Sequence, residues 1–78
     1  MSWNEIARVH KVGTKASYFI FKRGKTRNNV DSIDIREHFE RADGSLQHTG
    51  KGITIPAESF TDFMVACRDV SDLIRDLQ

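Results

Sequence analysis

Alternation between apolar and polar positions dominates the first part of the chain and predicts short β-strands. Residues 6–12 mix β-branched and polar side chains, and residues 17–22 form the most strand-prone stretch. A third run covers 30–39 and a fourth covers 46–55, with glycine-, asparagine- or aspartate-rich segments between the runs. The pattern therefore predicts four consecutive strands joined by turns.

After Pro56 the apolar period changes to about 3.6 residues, which is typical of an amphipathic helix. Pro56 supplies a suitable φ, and Glu58 lies favourably at the positive end of the helix dipole. The predicted fold is α+β, with a curved four-stranded antiparallel sheet followed by one C-terminal α-helix in a single domain, 1–78. The apolar stripe of the helix consists of Phe60, Phe63, Met64, Cys67, Val70, Leu73, Ile74 and Leu77.

The small size of the chain, 78 residues, favours an oligomer. A domain of this length buries only about 60% of its unfolded surface, and one cysteine cannot form a disulfide within the chain. We expect Phe60, Phe63 and Cys67 to pack on the sheet and the end of the helix to form a two-fold homodimer contact. The alternative is a monomer with a longer internal helix contact. The predicted dimer residues are Val70, Leu73, Ile74 and Leu77.

Charge is distributed unevenly along the chain, although the net charge is only +1. Residues 1–30 hold seven Lys or Arg against Glu5 alone, hence +6. Residues 31–56 hold three cations against five carboxylates (−2), and residues 57–78 hold two against five (−3). The basic end is a candidate phosphate-binding face, although a basic loop is often only a solubility device. The second turn contains three cations and no acidic residue: Arg23, Lys25 and Arg27.

Catalytic and metal-binding patterns are weak. His10, His38 and His48 show no paired-ligand spacing with one another or with Cys67. Cys67 lies in the apolar stripe, where a thiol is typically a packed hydrophobe, and Gly50-Lys51-Gly52 lacks the rest of a phosphate-loop pattern. We therefore expect no enzyme activity, no metal and no cofactor.

The hydropathy of the chain favours a cytoplasmic protein. No apolar stretch approaches the ~20 residues that cross a bilayer, and the N-terminal residues lack the blocks of a signal peptide. The single cysteine also favours a reducing compartment. We expect a protein that neither spans a membrane nor is secreted.

The run from Ile33 to Ile55, together with the helix, resembles a known family. The C-terminal domain of eukaryotic transcriptional positive cofactor 4, with its bacterial and phage relatives, is similar to residues 17–78 in motif order and spacing. The resemblance implies a sheet followed by one helix, a homodimer joined through helices and sheets, and binding of single-stranded DNA. No Ser-rich or Lys-rich tail like that of the eukaryotic relatives is present, which favours a bacterial or phage source. The resemblance rests on Asp34-Ile35-Arg36-Glu37, Phe39, Gly44, Lys51-Gly52-Ile53, Asp69 and Asp72.

The resemblance also implies which residues contact DNA. The relatives use an Arg at the position of Arg36, a Lys at that of Lys51, and an aromatic at that of Phe39. That aromatic stacks on bases, an interaction worth roughly 1 to 3 kcal/mol per base. Another basic position of the relatives falls on Gln47. The predicted DNA-binding residues are Lys15, Tyr18, Lys22, Arg23, Lys25, Arg27, Arg36, Phe39 and Lys51.

Two questions about this site follow from strand geometry. Strict alternation places Arg36 and Phe39 on opposite faces, so contact with one DNA strand requires a bulge or marked twist near Glu37. Asp34 and Arg36 share one face at i and i+2, which favours a structural ion pair that orients the arginine. A second base-stacking aromatic of human-type members falls on Arg27 here, and the candidate substitutes are Tyr18, Phe19 and Phe21.

The predicted function is sequence-independent binding of single-stranded DNA by a homodimer. Such a protein acts as an accessory or regulatory factor in transcription, replication or recombination, and its partners are the DNA, a second copy and proteins of those processes. Two alternatives stay open. One is RNA binding, and the other is a protein-interaction module whose acidic helix end docks on polymerase or recombination machinery. That acidic end carries Asp69, Asp72 and Asp76.

Overall fold

The computed structural model describes residues 2–77 and consists of one open, curled antiparallel sheet followed by one helix. Each strand pairs with the next along the chain, in the order β1-β2-β3-β4. The predicted α+β fold is confirmed. Within residues 2–77, no helix combines the length and apolar character needed to cross a membrane. The elements are β1 (Asn4–His10), β2 (Ser17–Lys25), β3 (Asp31–Glu40), β4 (Leu46–Pro56) and α1 (Ala57–Asp76).

The strands begin and end within three residues of their predicted bounds. β1 begins two residues early and ends at His10 rather than at Val12. It ends there because the amide of Lys11 donates to the carbonyl oxygen of Ser17 at 2.9 Å and closes the turn. β2 continues three residues beyond its predicted end, to Lys25, because its last residues pair with the start of β3.

Alternation along the strands divides the sheet into two faces, as predicted for β2 and β3. The helix face lies on the side of α1, and the open face is covered by no element within residues 2–77. The helix face carries Val9, Phe19, Phe21, Ile33, Ile35, Glu37 and Ile55. The open face carries Arg8, His10, Tyr18, Ile20, Lys22, Asp34, Arg36, His38 and His48.

The apolar core lies between α1 and the β3–β4 pair. Ile33 and Ile55 are cross-strand partners, and each is only 7% exposed. Phe60 and Phe63 of α1 are half-buried, and their rings stack at 6.2 Å between centroids. The helix contributes no fully buried residue among those described.

Cys67 does not pack on the sheet, contrary to the prediction from the apolar stripe. Its side chain is exposed because only the first two turns of α1 are half-buried. Between α1 and the uncovered part of the helix face lies an apolar groove of about 420 Å³. The apolar groove is lined by Val9, Phe19, Phe21, Ile35, Phe63, Met64 and Cys67.

A bulge interrupts the β3–β4 pairing opposite Glu37. The register shifts after Arg36, so that residues 49–51 all lie opposite Glu37. Gly50 has a φ of +88°, a left-handed conformation that glycine adopts without steric cost. β3 pairs with β2 without interruption, so the extra residues belong to β4. Arg36 and Phe39 therefore remain on opposite faces.

Candidate nucleic-acid interface

A row of rings crosses the open face from one edge of the sheet to the other. His10, Tyr18, His38 and His48 are successive register partners on the four strands. The centroids of His10 and Tyr18 lie 5.6 Å apart, and those of His38 and His48 lie 6.1 Å apart. Both pairs are edge-to-face. In this ring row, His10, Tyr18 and His48 offer accessible ring surfaces on which bases can stack, whereas His38 is buried between them.

The next row of the open face places arginines on both sides of an apolar residue. Arg8 and Arg36 are the register partners of Ile20. Ile20 has no exposed surface, although no other element of residues 2–77 covers this face. The long side chains around it therefore shield it with their aliphatic stems. The Arg8 guanidinium carbon also lies 5.2 Å from the Tyr18 ring centroid, in cation–π geometry.

Arg36 is held in one orientation by its neighbours. Its Nε donates to Asp34 Oδ1 at 3.0 Å, which confirms the predicted pair. Thr54 Oγ1 donates to the same carboxylate oxygen at 2.8 Å. Arg36 Nη1 donates to the carbonyl oxygen of Gly50 at 3.4 Å. Because 30% of the Arg36 side chain stays exposed, its remaining N–H groups are available to a ligand.

Gly52 allows β4 to approach Arg36 closely. A Cβ added at this glycine would lie 2.4 Å from the carbonyl oxygen of Ile35. It would also lie 2.5 Å from Arg36 Cγ. Both distances are shorter than real Cβ contacts, so only glycine fits beside the stem of Arg36.

Arg8 is fixed in a similar way from β1. Its Nε and Nη2 donate to the two carboxylate oxygens of Glu5, both at 2.8 Å. These hydrogen bonds lower the pKa of Glu5 and raise that of Arg8. Trp3 lies nearby on the same face, against Gly24 of β2. The sequence prediction missed Arg8, His10 and Trp3, because only the β1–β2 register shows that they join this face.

The structure brings together three of the nine predicted DNA-binding residues on the open face: Tyr18, Lys22 and Arg36. Lys22 makes no salt bridge with any residue from 2 to 77. A strand on the open face would reach the other six only by passing around an edge of the sheet. Arg23, Lys25, Phe39 and Lys51 lie on the side of the helix face, and Lys15 and Arg27 lie in exposed turns.

The sequence pattern predicted that Arg23 lies in a loop with no acidic residue to neutralise it, and this prediction is wrong. Arg23 lies in β2, and its Nη2 donates to Asp31 Oδ2 at 2.7 Å. This interaction lowers the pKa of Asp31. The two residues are eight positions apart, and the hairpin register brings them into contact. Lys25 and Arg27 form no salt bridge within the described part of the chain.

Glu37 braces the bulge from the helix face. Its buried side chain forms an ion pair with Lys11, and Thr49 Oγ1 donates to its Oε1 at 3.1 Å. The hydrogen bond from Lys11, followed by that from Thr49, holds the pKa of Glu37 below its ordinary value of 4.5. Thr49 Oγ1 also accepts a hydrogen bond from the backbone amide of Lys51 at 3.3 Å. Glu37 is therefore tied to the segment that carries Lys51.

Acid should weaken the fold through Glu37. Because its folded pKa lies below 4.5, the unfolded chain binds this proton more readily. The stabilisation is complete above the ordinary value and is lost as pH falls through the lower folded pKa. We expect Glu37→Gln to melt earlier than the wild type at neutral pH, with a shallower fall in melting temperature below about pH 5. Thermal scans over this range test it, and parallel curves for the two proteins would contradict it.

Comparisons with known proteins place the chain in a family. Residues 23–66, more than half of the chain, match the family model of Transcriptional Coactivator p15 (PC4). The crystal structure of a PC4 homolog from Burkholderia pseudomallei superposes with a TM-score of 0.75 at 23% sequence identity. The alignment covers 90% of this chain and 98% of the homolog, so the two proteins share the fold. A search of curated proteins gave no match. The resemblance noted in the sequence is confirmed, and this chain belongs to the PC4 family.

Proposed function

We propose that this protein binds single-stranded DNA on its open face, as a homodimer and with little sequence preference. The ring row beside the guanidinium groups of Arg8 and Arg36 is the observation that carries the proposal. Stacking on a side-chain ring is worth roughly 1 to 3 kcal/mol per base and tolerates any base. Adjacent cations contact the phosphates that connect the stacked bases.

The open face suits an unpaired strand better than a duplex. Bases of a single strand expose their flat surfaces, whereas those of a duplex stack on one another within the helix. The rings of this face belong to one sheet, and the neighbouring row of the same face contains the buried Ile20. An extended strand can therefore place its bases on the rings and its phosphates near the arginines.

The proposed role is that of an accessory or regulatory factor where DNA is melted. Transcription is the process named in the family description, and replication and recombination expose strands of the same chemistry. The cytoplasm of a bacterium or of a phage-infected host is the proposed location. We propose binding rather than catalysis, because the buried carboxylates of Asp34 and Glu37 are occupied by structural partners.

The homodimer is proposed because apolar surface remains uncovered on a single chain. The predicted dimer residues, three in α1 and Leu77 directly after it, are between 52% and 80% exposed. The apolar groove adds a second uncovered surface beside the same helix. Exposed apolar patches of this kind mark contact sites, and a second copy related by a two-fold axis would cover both surfaces.

Replacing Arg36 with Gln should lower the affinity for single-stranded DNA by about tenfold or more. A hydrogen bond from a charged group contributes about 1.5 to 3 kcal/mol, and Arg36 is already oriented for it. Fluorescence anisotropy with a labelled strand of about 20 nucleotides, longer than the site of a small binding domain, measures the effect. Arg68→Gln is the matched control, because it removes the same charge from an exposed position of α1.

The wild type should prefer the single strand to the matching duplex, and its affinity should fall steeply with salt. Equal losses in the Arg36 and Arg68 variants would show that only overall charge matters. Absence of binding by the wild type at low salt would overturn the proposed function. Stronger binding to an RNA strand of the same sequence would favour the RNA alternative.

A further inference from the structure

A second groove lies on the open face, where β3 turns into β4. Its volume is about 470 Å³, and we term it the basic groove. Four of its lining residues are lysine, arginine or histidine, and within residues 2–77 no carboxylate lines it. Its polar lining consists of Lys22, His38, Arg41, Ser45, Gln47 and His48.

The two permanently charged side chains of the basic groove make no direct salt bridge within residues 2–77, although Lys22 is the register partner of Glu5 and Asp34. Neither Lys22 nor Arg41 forms a salt bridge with another described residue. Asp43 lies in the adjoining turn. Its Oδ1 accepts hydrogen bonds from the backbone amide of Ser45 at 2.9 Å and from the Ser45 hydroxyl at 2.6 Å. These bonds hold Asp43 within the turn and lower its pKa. Cations without a direct salt-bridge partner around a concave surface concentrate an anionic ligand.

The imidazoles of the basic groove are held in place before any ligand arrives. His38 is only 5% exposed, and its Nδ1 lies 3.1 Å from the carbonyl oxygen of Arg36. A carbonyl oxygen only accepts, so Nδ1 donates and Nε2 remains for another partner. The ring of His48 packs edge-to-face on that of His38. Preorganised groups of this kind lose little freedom when they bind.

We propose that the basic groove binds a phosphodiester group of the single strand on the open face. This inference rests on the proposed function and extends its contacts from Arg36 to the β3–β4 turn. Arg36 and His38 are two residues apart on β3, a distance of about 7 Å along the strand. The groove therefore takes a phosphate beyond the one held by Arg36, and the DNA backbone follows β3 towards the turn. Lys22 and Arg41, which line the groove, donate to the phosphate oxygens.

Arg41→Gln and His48→Gln test the basic groove in the full chain. Each should weaken binding of a labelled strand about twofold to fivefold, the range of an exposed ion pair. The double variant should also reduce the slope of log affinity against log salt by about 0.7 per lost phosphate contact. The labelled strand carries no terminal phosphate, so that the loss reports on phosphodiester groups. Arg68→Gln should leave both quantities unchanged.

A gain of affinity provides an independent test that misfolding cannot imitate. Leu46→Lys adds a cation at an exposed residue of the groove lining, so it should strengthen binding by a similar factor and steepen the salt slope. If all groove variants bind the strand with wild-type affinity while Arg36→Gln binds it more weakly, the basic groove does not bind phosphate and the proposed function still holds. If the wild type does not bind the strand, both proposals fall.

Discussion

A chain with aspartate in place of both Leu73 and Ile74 should sediment as a monomer, whereas we expect the wild type to sediment as a dimer. These side chains are 61% and 52% exposed on a single chain, so the substitutions leave the monomer fold largely undisturbed. In an apolar contact, an unpaired carboxylate is strongly unfavourable. We expect each substitution to weaken dimer association by at least about 2 kcal/mol, the scale of an interface hot spot. This corresponds to roughly a thirtyfold increase in the dissociation constant of the dimer per position. Sedimentation equilibrium over a range of concentrations measures it.

Thr61→Asp is the matched control for the dimer contact. Thr61 is exposed on the same helix but faces away from the apolar stripe at 100° per residue, so this variant should stay dimeric. A double variant at Leu73 and Ile74 that remained dimeric would move the contact elsewhere, and the apolar groove would be the next surface to mutate. A wild type that stays monomeric at high concentration would refute the homodimer.

Gly52→Ala should lower both the melting temperature and the affinity for single-stranded DNA. The added Cβ would lie within 2.8 Å of two Arg36 atoms and of the carbonyl oxygen of Ile35, so β3 and β4 would have to separate. Overpacking of this kind costs about 1 to 3 kcal/mol. For a domain of this size, each kcal/mol lowers the melting temperature by about 4 to 8 °C. Binding weakens as well, because Arg36 is displaced.

Thermal melting and anisotropy on the same preparation separate the two effects of Gly52→Ala. Gln47→Ala, at an exposed position of the same strand, is the control for stability and should melt close to the wild type. A Gly52 variant with both wild-type melting temperature and wild-type affinity would show that β4 does not approach Arg36 so closely. A variant with wild-type melting temperature but weakened binding would show that the effect acts through Arg36 alone.

The fold was largely predictable because its elements depend on local patterns. The alternation of residues 17–22 placed Phe19 and Phe21 together on one face, and in the structure that face lies towards the helix. The change of period after Pro56 predicted α1. The Asp34–Arg36 pair was predictable too, since residues two apart on one strand share a face. Cys67 was misplaced because periodicity shows which side of a helix is apolar, but not how far the sheet extends beneath it.

The candidate site was only partly predictable, because most of its contacts join different strands. The pairing of Arg23 with Asp31 depends on hairpin register, as does the position of Arg8 over Tyr18. The basic groove needs β2, β3 and β4 together, and Arg41 had no signal of its own in the sequence.

The sequence by itself determined the order of the elements, the faces of the central strands and the family resemblance. These features follow from periodicity and from short motifs, which involve residues close together in the chain. Only the tertiary structure decided which cations lie beside the rings and which lie on the side of the helix. Cross-strand register and the β4 bulge make that choice, because a shift of register changes which side chains are neighbours across the sheet.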